Sequence, residues 1–387
     1  MKNKSSFIGI LVFINLLAAC QHSRTKKDVY SISTEARMDS TSFAGKVNGK
    51  AVQLYELENK NGIQAYFTNF GARIVSLYVP DRDNNFRDII LGFSKATDYN
   101  NPKEPYFGAI VGPFANRIAK GTFVLDGNTY NLPINNGINT LHGGFKGVHF
   151  ANWQVQTVND SSITFAYTLP DRAEGFPGNI SMQVTYLLND QNELTISYKA
   201  QSDKTTVINL TNHAYFNLNG EGSGTILNHQ LQLFADKFTP VDSTLIPTGE
   251  QKPVHGTAFD FTALKAIGRD INASDQQLHY GKGYDHNFVL KKQTEDKWYK
   301  AAHIVGDQSG IVMDIFTQEP GMQFYSGNFM NEQVRLKNGA KDSFRTGFCL
   351  EPQHFPDSPN QPNFPSTELP VEKIYQSKSL YRFSVKF

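Results

Sequence analysis

The chain has 387 residues, 37 Lys and Arg against 36 Asp and Glu, and two cysteines. A formal charge of +1 excludes a general attraction for nucleic acid or anionic lipid and leaves only local patches to provide one. Two cysteines cannot build a disulfide framework or a four-cysteine zinc site.

Residues 1–19 read as an address and not as part of the fold. Lys2 and Lys4 form a short positive start, and residues 7–19 are apolar apart from Asn15. As a helix that run spans about 20 Å, short of the roughly 30 Å hydrocarbon core, so it fits a secretory signal better than a membrane span. It ends Leu17-Ala18-Ala19-Cys20, which resembles the bacterial lipobox. That resemblance implies lipidation of Cys20 and a bacterial, extracytoplasmic protein held to a membrane only by its anchor. An ordinary cleaved signal with an incidental Cys is the bland alternative. Residues 20–44 then carry the lipidated Cys and a polar, aperiodic stretch expected to be a flexible tether. Cys349 has no partner but Cys20 and is expected to be a buried free thiol.

From residue 45 to 387 one large domain of strands and turns is expected. The 29 Phe and 17 Tyr favour strands and large cores. Residues 62–80 are rich in β-branched and aromatic residues, interrupted at Gly71 by a bulge or turn, and residues 89–91 open another strand. Further strands are expected at 121–125, 163–169, 180–188, 193–199, 205–211, 229–234, 311–316 and 346–350. Asp126-Gly127, Asn136-Gly137 and Asn219-Gly220 mark turns. Only residues 94–98 and 262–278 show weak helical patterning. Many short strands with few helices point to an all-β, antiparallel sandwich or barrel.

Several motifs carry no chemistry. Residues 81–85 open like a calcium loop, but Phe86 stands where Gly is needed and Gly92 where the bidentate acid belongs. Gly220, Gly222 and Gly224 lack the strand–helix setting of a phosphate loop. No G-x-S-x-G, H-E-x-x-H or Walker pattern occurs.

Six segments instead concentrate polar groups beside glycines and aromatics: GPFANRIAKG (112–121), NTLHGGF (139–145), TNHAYFNLNG (211–220), YDHNFVL (284–290), EPGMQFYSGNF (319–329) and FCLEPQHFPDSPNQPNF (348–364). Together, in this order and at these spacings, they resemble the aldose 1-epimerase (galactose mutarotase) family from about residue 45 to the C-terminus. The resemblance implies a large antiparallel β-sandwich, the galactose mutarotase-like supersandwich, and an isomerase with no cofactor. It implies catalytic roles for Glu351 and His213. Asn116, Arg117, His142, Tyr215, Asp285 and Gln323 are implied as substrate-binding residues.

The chemistry fits those residue types. Opening a cyclic hemiacetal needs a proton to leave the C1 hydroxyl while another reaches the ring oxygen. Glu351 suits the base, and His213, as imidazolium, the acid. His142 and Arg117 would steady oxygen charge, and Asp285 and Gln323 would meet ring hydroxyls. Tyr215 and Phe324 would face the sugar's C–H surface. The expected partner is a free aldohexose, taken up by a monomer.

Blander readings remain beside these. His213 has Asn209, Thr211 and Asn212 as local partners. Glu351 could pair with Arg345. Gly143 and Gly144 could make His142 a turn residue, and Asp285 could cap a turn. His286 and His354 are taken as structural. Nothing in the spacing of His142, His213, Asp285 and Glu351 demands a metal. A non-catalytic sugar-binding lipoprotein would not need Glu351 with His213. A glycoside hydrolase would use Glu351 and Asp285 as a carboxylate pair. A sugar-phosphate epimerase would show extra basic residues around the pocket.

Overall fold

The computed structural model describes residues 38–101, 103, 106–291 and 298–386. The signal segment, Cys20 and most of the expected tether lie outside these residues.

Alternation of apolar and polar residues builds the largest sheet. In Ile180–Leu188 the odd-spaced set Ile180, Met182, Val184, Tyr186 and Leu188 is buried, while Ser181, Gln183 and Thr185 are only half-covered. That is the period-2 pattern of a strand covered on one face. Glu193–Ser202 and Tyr375–Val385 repeat it. Nine strands pair antiparallel in the order Gln154–Val158, Ser162–Leu169, Ile180–Leu188, Glu193–Ser202, Tyr375–Val385, Ile311–Thr317, Tyr299–Val305, Gln230–Leu233, Lys265–Ala266.

Two smaller sheets differ in kind. Gln64–Thr68 and most of Arg73–Pro80, in a four-stranded sheet, are buried on both faces. Ala65, Phe67, Ile74 and Leu77 join the main core, and the Phe67 ring meets Tyr186 of the large sheet at 4.5 Å. Tyr66, Val75 and Tyr78 turn the other way into a second cluster with Phe107, Tyr215, Tyr325 and Cys349. A five-stranded sheet runs Lys252–Pro253, Ala235–Phe238, Asp285–Leu290, Gly321–Tyr325, Cys349–Gln353. Its last two strands are likewise fully buried, because loops cover the face opposite the core.

Four expectations change on folding. The N-terminal boundary moves before residue 45: Asp39 caps the short helix Ser40–Phe43, and Phe43 is 1% exposed against Tyr99. The helical stretch at 262–278 reduces to Gln276–Gly281, capped by the Asp275 carboxylate. The strand at 205–211 is two short pairings, Thr206–Val207 and Thr211–Asn212, made with different partners. The strand at 89–91 is instead Phe86–Asp88, with Ile90 making only an isolated bridge to Phe216. Residues 81–85 are a turn, as their sequence implied: Asp81 Oδ1 accepts from the Asp83 and Asn85 amides.

Candidate active site

Register in the five-stranded sheet assembles half of the site. Asp285 pairs with Tyr325 and Tyr325 with Cys349; Asn287 pairs with Gln323 and Gln323 with Glu351. Alternate residues share a face, so Asp285, Gln323, Tyr325, Cys349 and Glu351 all look away from the main core. The intervening residues, His286, Phe324 and Leu350, look into it. Phe324 therefore cannot meet a sugar. It is 0% exposed and stacks on Tyr284 at 5.3 Å, which corrects the expectation that it lines the pocket.

Loops carry the other half onto this face. The two-residue ladder Arg117–Ile118 with Thr140–Leu141 brings Asn116 beside His142. Thr211–Asn212, paired with Ile110–Val111, delivers His213. Asn116 (φ 65°), His142 (φ 50°) and Tyr106 (φ 67°) all sit in the left-handed region. Non-glycine residues enter that region at a cost, and such strain gathers at functional sites.

These elements enclose a cavity of about 580 Å³, within the usual size for a small-molecule site. Asn116, Arg117, His142, His213, Tyr215, Asp285 and Glu351 all line it. Gln323 stands one step back. Its amide nitrogen donates to Asp285 Oδ1 at 2.7 Å, so it orients that carboxylate and is not itself a lining group. A larger hollow, about 700 Å³, lies by Trp153, Gln183 and Lys199 and holds no acid/base pair.

His213 Nε2 stands 3.7 Å from Glu351 Oε2. That is too long for a hydrogen bond, and Oε2 is buried without a hydrogen-bond partner among the described residues. Arg345 does not pair with Glu351; it donates to Asn272 Oδ1 and to the Lys282 carbonyl. Arg117 reaches Asn136 Oδ1 through Nε at 3.1 Å and lies 3.8 Å from Asp285.

Burial governs the protons. It pushes Glu351 well above the usual carboxylate range, with the Asp285 charge adding and Arg117 opposing. It also pushes Asp285 up, against the pull of Arg117 and Gln323. Burial lowers His213 to about 3, and the Arg73 charge adds to that. His142 is likewise held well below its ordinary value, first by burial and then by neighbouring His213, His149 and Arg117. Both imidazoles are thus neutral near pH 7, which replaces the expected imidazolium.

The tautomer of His142 follows from its partner. The Asn116 amide donates to His142 Nδ1 at 3.1 Å, so neutral His142 carries its proton on Nε2. Cys349 Sγ lies 3.6 Å from His213 Nδ1. Burial keeps Cys349 a thiol, free as the sequence implied. A thiol can donate or accept, so this contact fits either tautomer of His213; a proton shared between Glu351 and Nε2 requires Nε2 to be the lone-pair end of the uncharged ring, with Nδ1–H toward the sulfur.

The histidines taken as structural are so. His286 Nδ1 accepts the Asp285 amide, and the His286 ring packs on Phe259 at 4.7 Å. His354 meets buried Glu319 at 2.5 Å. His142, His213 and Glu351 offer ligand atoms within 4.8 Å of one another, a spacing that also admits a cation.

Sequence reasoning missed Tyr106, Asn136, Tyr280, Lys282, Tyr325 and Phe329 on the cavity wall. Tyr325 and Phe329 lie inside a segment already singled out, and period-2 alternation from Gln323 would have found Tyr325. The others come from separate loops with no shared pattern.

Fold and site together define an antiparallel β-sandwich protein in which a buried carboxylate and a buried imidazole face one cavity. A family model for aldose 1-epimerase matches residues 53–382. Galactose mutarotase from Sus scrofa is 43% identical over 334 residues, 86% of this chain and 94% of that protein. Aldose 1-epimerase from Escherichia coli K12 is 37% identical over 338 residues, 87% of this chain and 96% of that protein. A solved aldose epimerase homologue from C. elegans superposes with a TM-score of 0.80 at 32% identity, covering 87% of this chain and all of that one. The chain belongs to the aldose 1-epimerase family.

Proposed function

We propose that this protein interconverts the α- and β-anomers of free aldohexoses such as glucose and galactose, with Glu351 and His213 as the proton-transfer pair. One observation carries the reading: buried Glu351 Oε2 and His213 Nε2 converge at 3.7 Å on the wall of one cavity. The C1 hydroxyl and the ring oxygen are bonded to the same carbon. A base and an acid that serve both must therefore converge, and these do.

The pair shares one exchangeable proton. In its charge-separated form, Glu351 takes the C1 hydroxyl proton while His213 Nε2 gives one to the ring oxygen. The ring opens and the pair is left as carboxylic acid and neutral imidazole. That is the arrangement burial favours. Rotation about C1–C2 presents the other carbonyl face, and both protons return as the ring closes. No electron or group is transferred. His142 Nε2–H and Arg117 steady the oxygens, Asp285 holds a ring hydroxyl with Gln323 behind it, and Tyr215 offers apolar surface. The contacts of Asp285 with Arg117 and Gln323 favour this role over that of a hydrolase nucleophile.

Freshly dissolved α-glucose or α-galactose followed by polarimetry tests the reading. The protein should speed the relaxation, and Glu351→Gln should bind sugar yet slow it about 10²- to 10⁴-fold. No acceleration over buffer by the wild type, or full rate in the variant, rejects it. On the same reading the protein works outside the cytoplasm as a monomer tethered by lipid at Cys20. Lys2, Lys4, the apolar run 7–19 and Leu17-Ala18-Ala19-Cys20 support that address.

A further inference from the structure

Tyr106 belongs to none of the sequence segments that carry the chemistry, yet its ring contacts three buried imidazoles. Ring centroids lie 4.7 Å from His142, 4.8 Å from His149 and 5.6 Å from His213. The first two contacts are edge-on, the geometry aromatic rings prefer. His142 and His213 in turn meet edge-on at 5.0 Å. Those three histidines come from three separate places in the chain: the loop after Thr140–Leu141, the turn Val148–Phe150, and the segment after Thr211–Asn212. No ladder hydrogen bond joins His142 to His213. The Tyr106 ring spans them.

The backbone points the same way. Tyr106 is held at φ 67°, where a bulky side chain is costly. Such a residue persists when its surroundings over-determine it. The cavity wall is where that strain is spent.

We infer that Tyr106 is a positioning residue for proton transfer: its ring wedges His142 and His213 into one fixed, dry array facing the sugar's C1. This rests on the epimerase reading above. The work is assigned to the ring face and edge, so Tyr106→Phe should retain it. Removing the ring lets both imidazoles turn and admits water to them. Other groups facing His213 are Glu351, Cys349, His142 and Tyr215, with Arg73 acting at longer range. A Tyr106 variant leaves the side chains of Glu351, Cys349, Tyr215 and Arg73 chemically unaltered, so a change in both histidines reports the ring.

Tyr106→Gly is the sharpest test, because glycine also relieves the positive φ. Its kcat should fall about tenfold or more with KM little changed, as expected when reacting groups lose alignment and sugar contacts remain. NMR titration of His142 and His213 gives a second readout that needs no turnover. Both should begin to take up protons closer to the ordinary range, near pH 6.5, than in the wild type. Tyr106→Phe, which keeps the ring, should lie nearer the wild type than Tyr106→Gly in both. The inference is overturned if Tyr106→Gly keeps wild-type kcat and titration, or if Tyr106→Phe loses as much as Tyr106→Gly. If Tyr106→Gly does not fold, Tyr106→Leu decides by the same two readouts. A wild type without mutarotase activity would fail the epimerase reading instead, while the titrations would still test the array.

Discussion

Glu351 and His213 are each pushed by burial toward the uncharged form, one up and the other down to about 3. The working state is the pair holding a single proton, wherever that proton sits. A second proton enters only when the neutral imidazole charges. An imidazole in water would charge near pH 6.5, whereas His213 resists until far lower. The acid limb of kcat/KM is therefore expected no higher than about pH 4, where an exposed histidine would already have cut the rate. On the alkaline side the pair loses its proton above the ordinary carboxylate range, because Glu351 is raised. A pH–rate series on freshly dissolved sugar checks this. An acid limb centred near pH 6.5 would contradict the burial argument. The residue types were legible through the family resemblance, which implied hemiacetal opening and so one base and one acid. Their protonation was not, since it depends on which atoms enclose them.

At the level of elements, the ladder Arg117–Ile118 with Thr140–Leu141 ends in a run of positive φ: His142 at 50°, Gly143 at 81° and Gly144 at 93°. A Cβ on Gly143 would sit 2.1 Å from the Gly112 carbonyl oxygen. Neither the dihedral nor the space accepts a side chain. Gly143→Ala should destabilise the protein by about 2 kcal/mol or more and displace His142. Thermal unfolding and the mutarotation rate should both drop, and unchanged values in both would remove the turn from the site's scaffold. Here the sequence spoke ambiguously. Gly143-Gly144 read equally as a tight turn or as part of a site, and it is both. Strand existence was legible wherever alternation was strict, as in Ile180–Leu188. It failed at 205–211 because the pairing partners there, residues 368–369 and 110–111, lie far away in sequence. Gln323 and Phe324 show the finer limit. Sequence reasoning nominated both neighbours, Gln323 by resemblance and Phe324 for its apolar ring, but the pleat sends only one toward the site.

For the whole molecule, the catalytic domain and its address are separate problems. The domain begins no later than Asp39, since the cap there and the burial of Phe43 tie the segment down. The proposed lipid anchor at Cys20 lies upstream of that point. Membrane fractionation of native cells should place the protein in the detergent-extracted fraction, and Cys20→Ala should release it. Native protein found in the soluble cytosolic fraction would end that proposal. By itself the sequence determined the all-β class, through side-chain periodicity, and the six polar segments, whose resemblance to a family implied the acid/base types. The tertiary structure alone decided which faces meet. It set Glu351 against His213 at 3.7 Å, drew Tyr106 in beside three histidines, and turned Phe324 away. The physical reason is that facing and enclosure come from strand register and loop closure between segments distant in the chain, and both then set the proton affinities on which the chemistry runs.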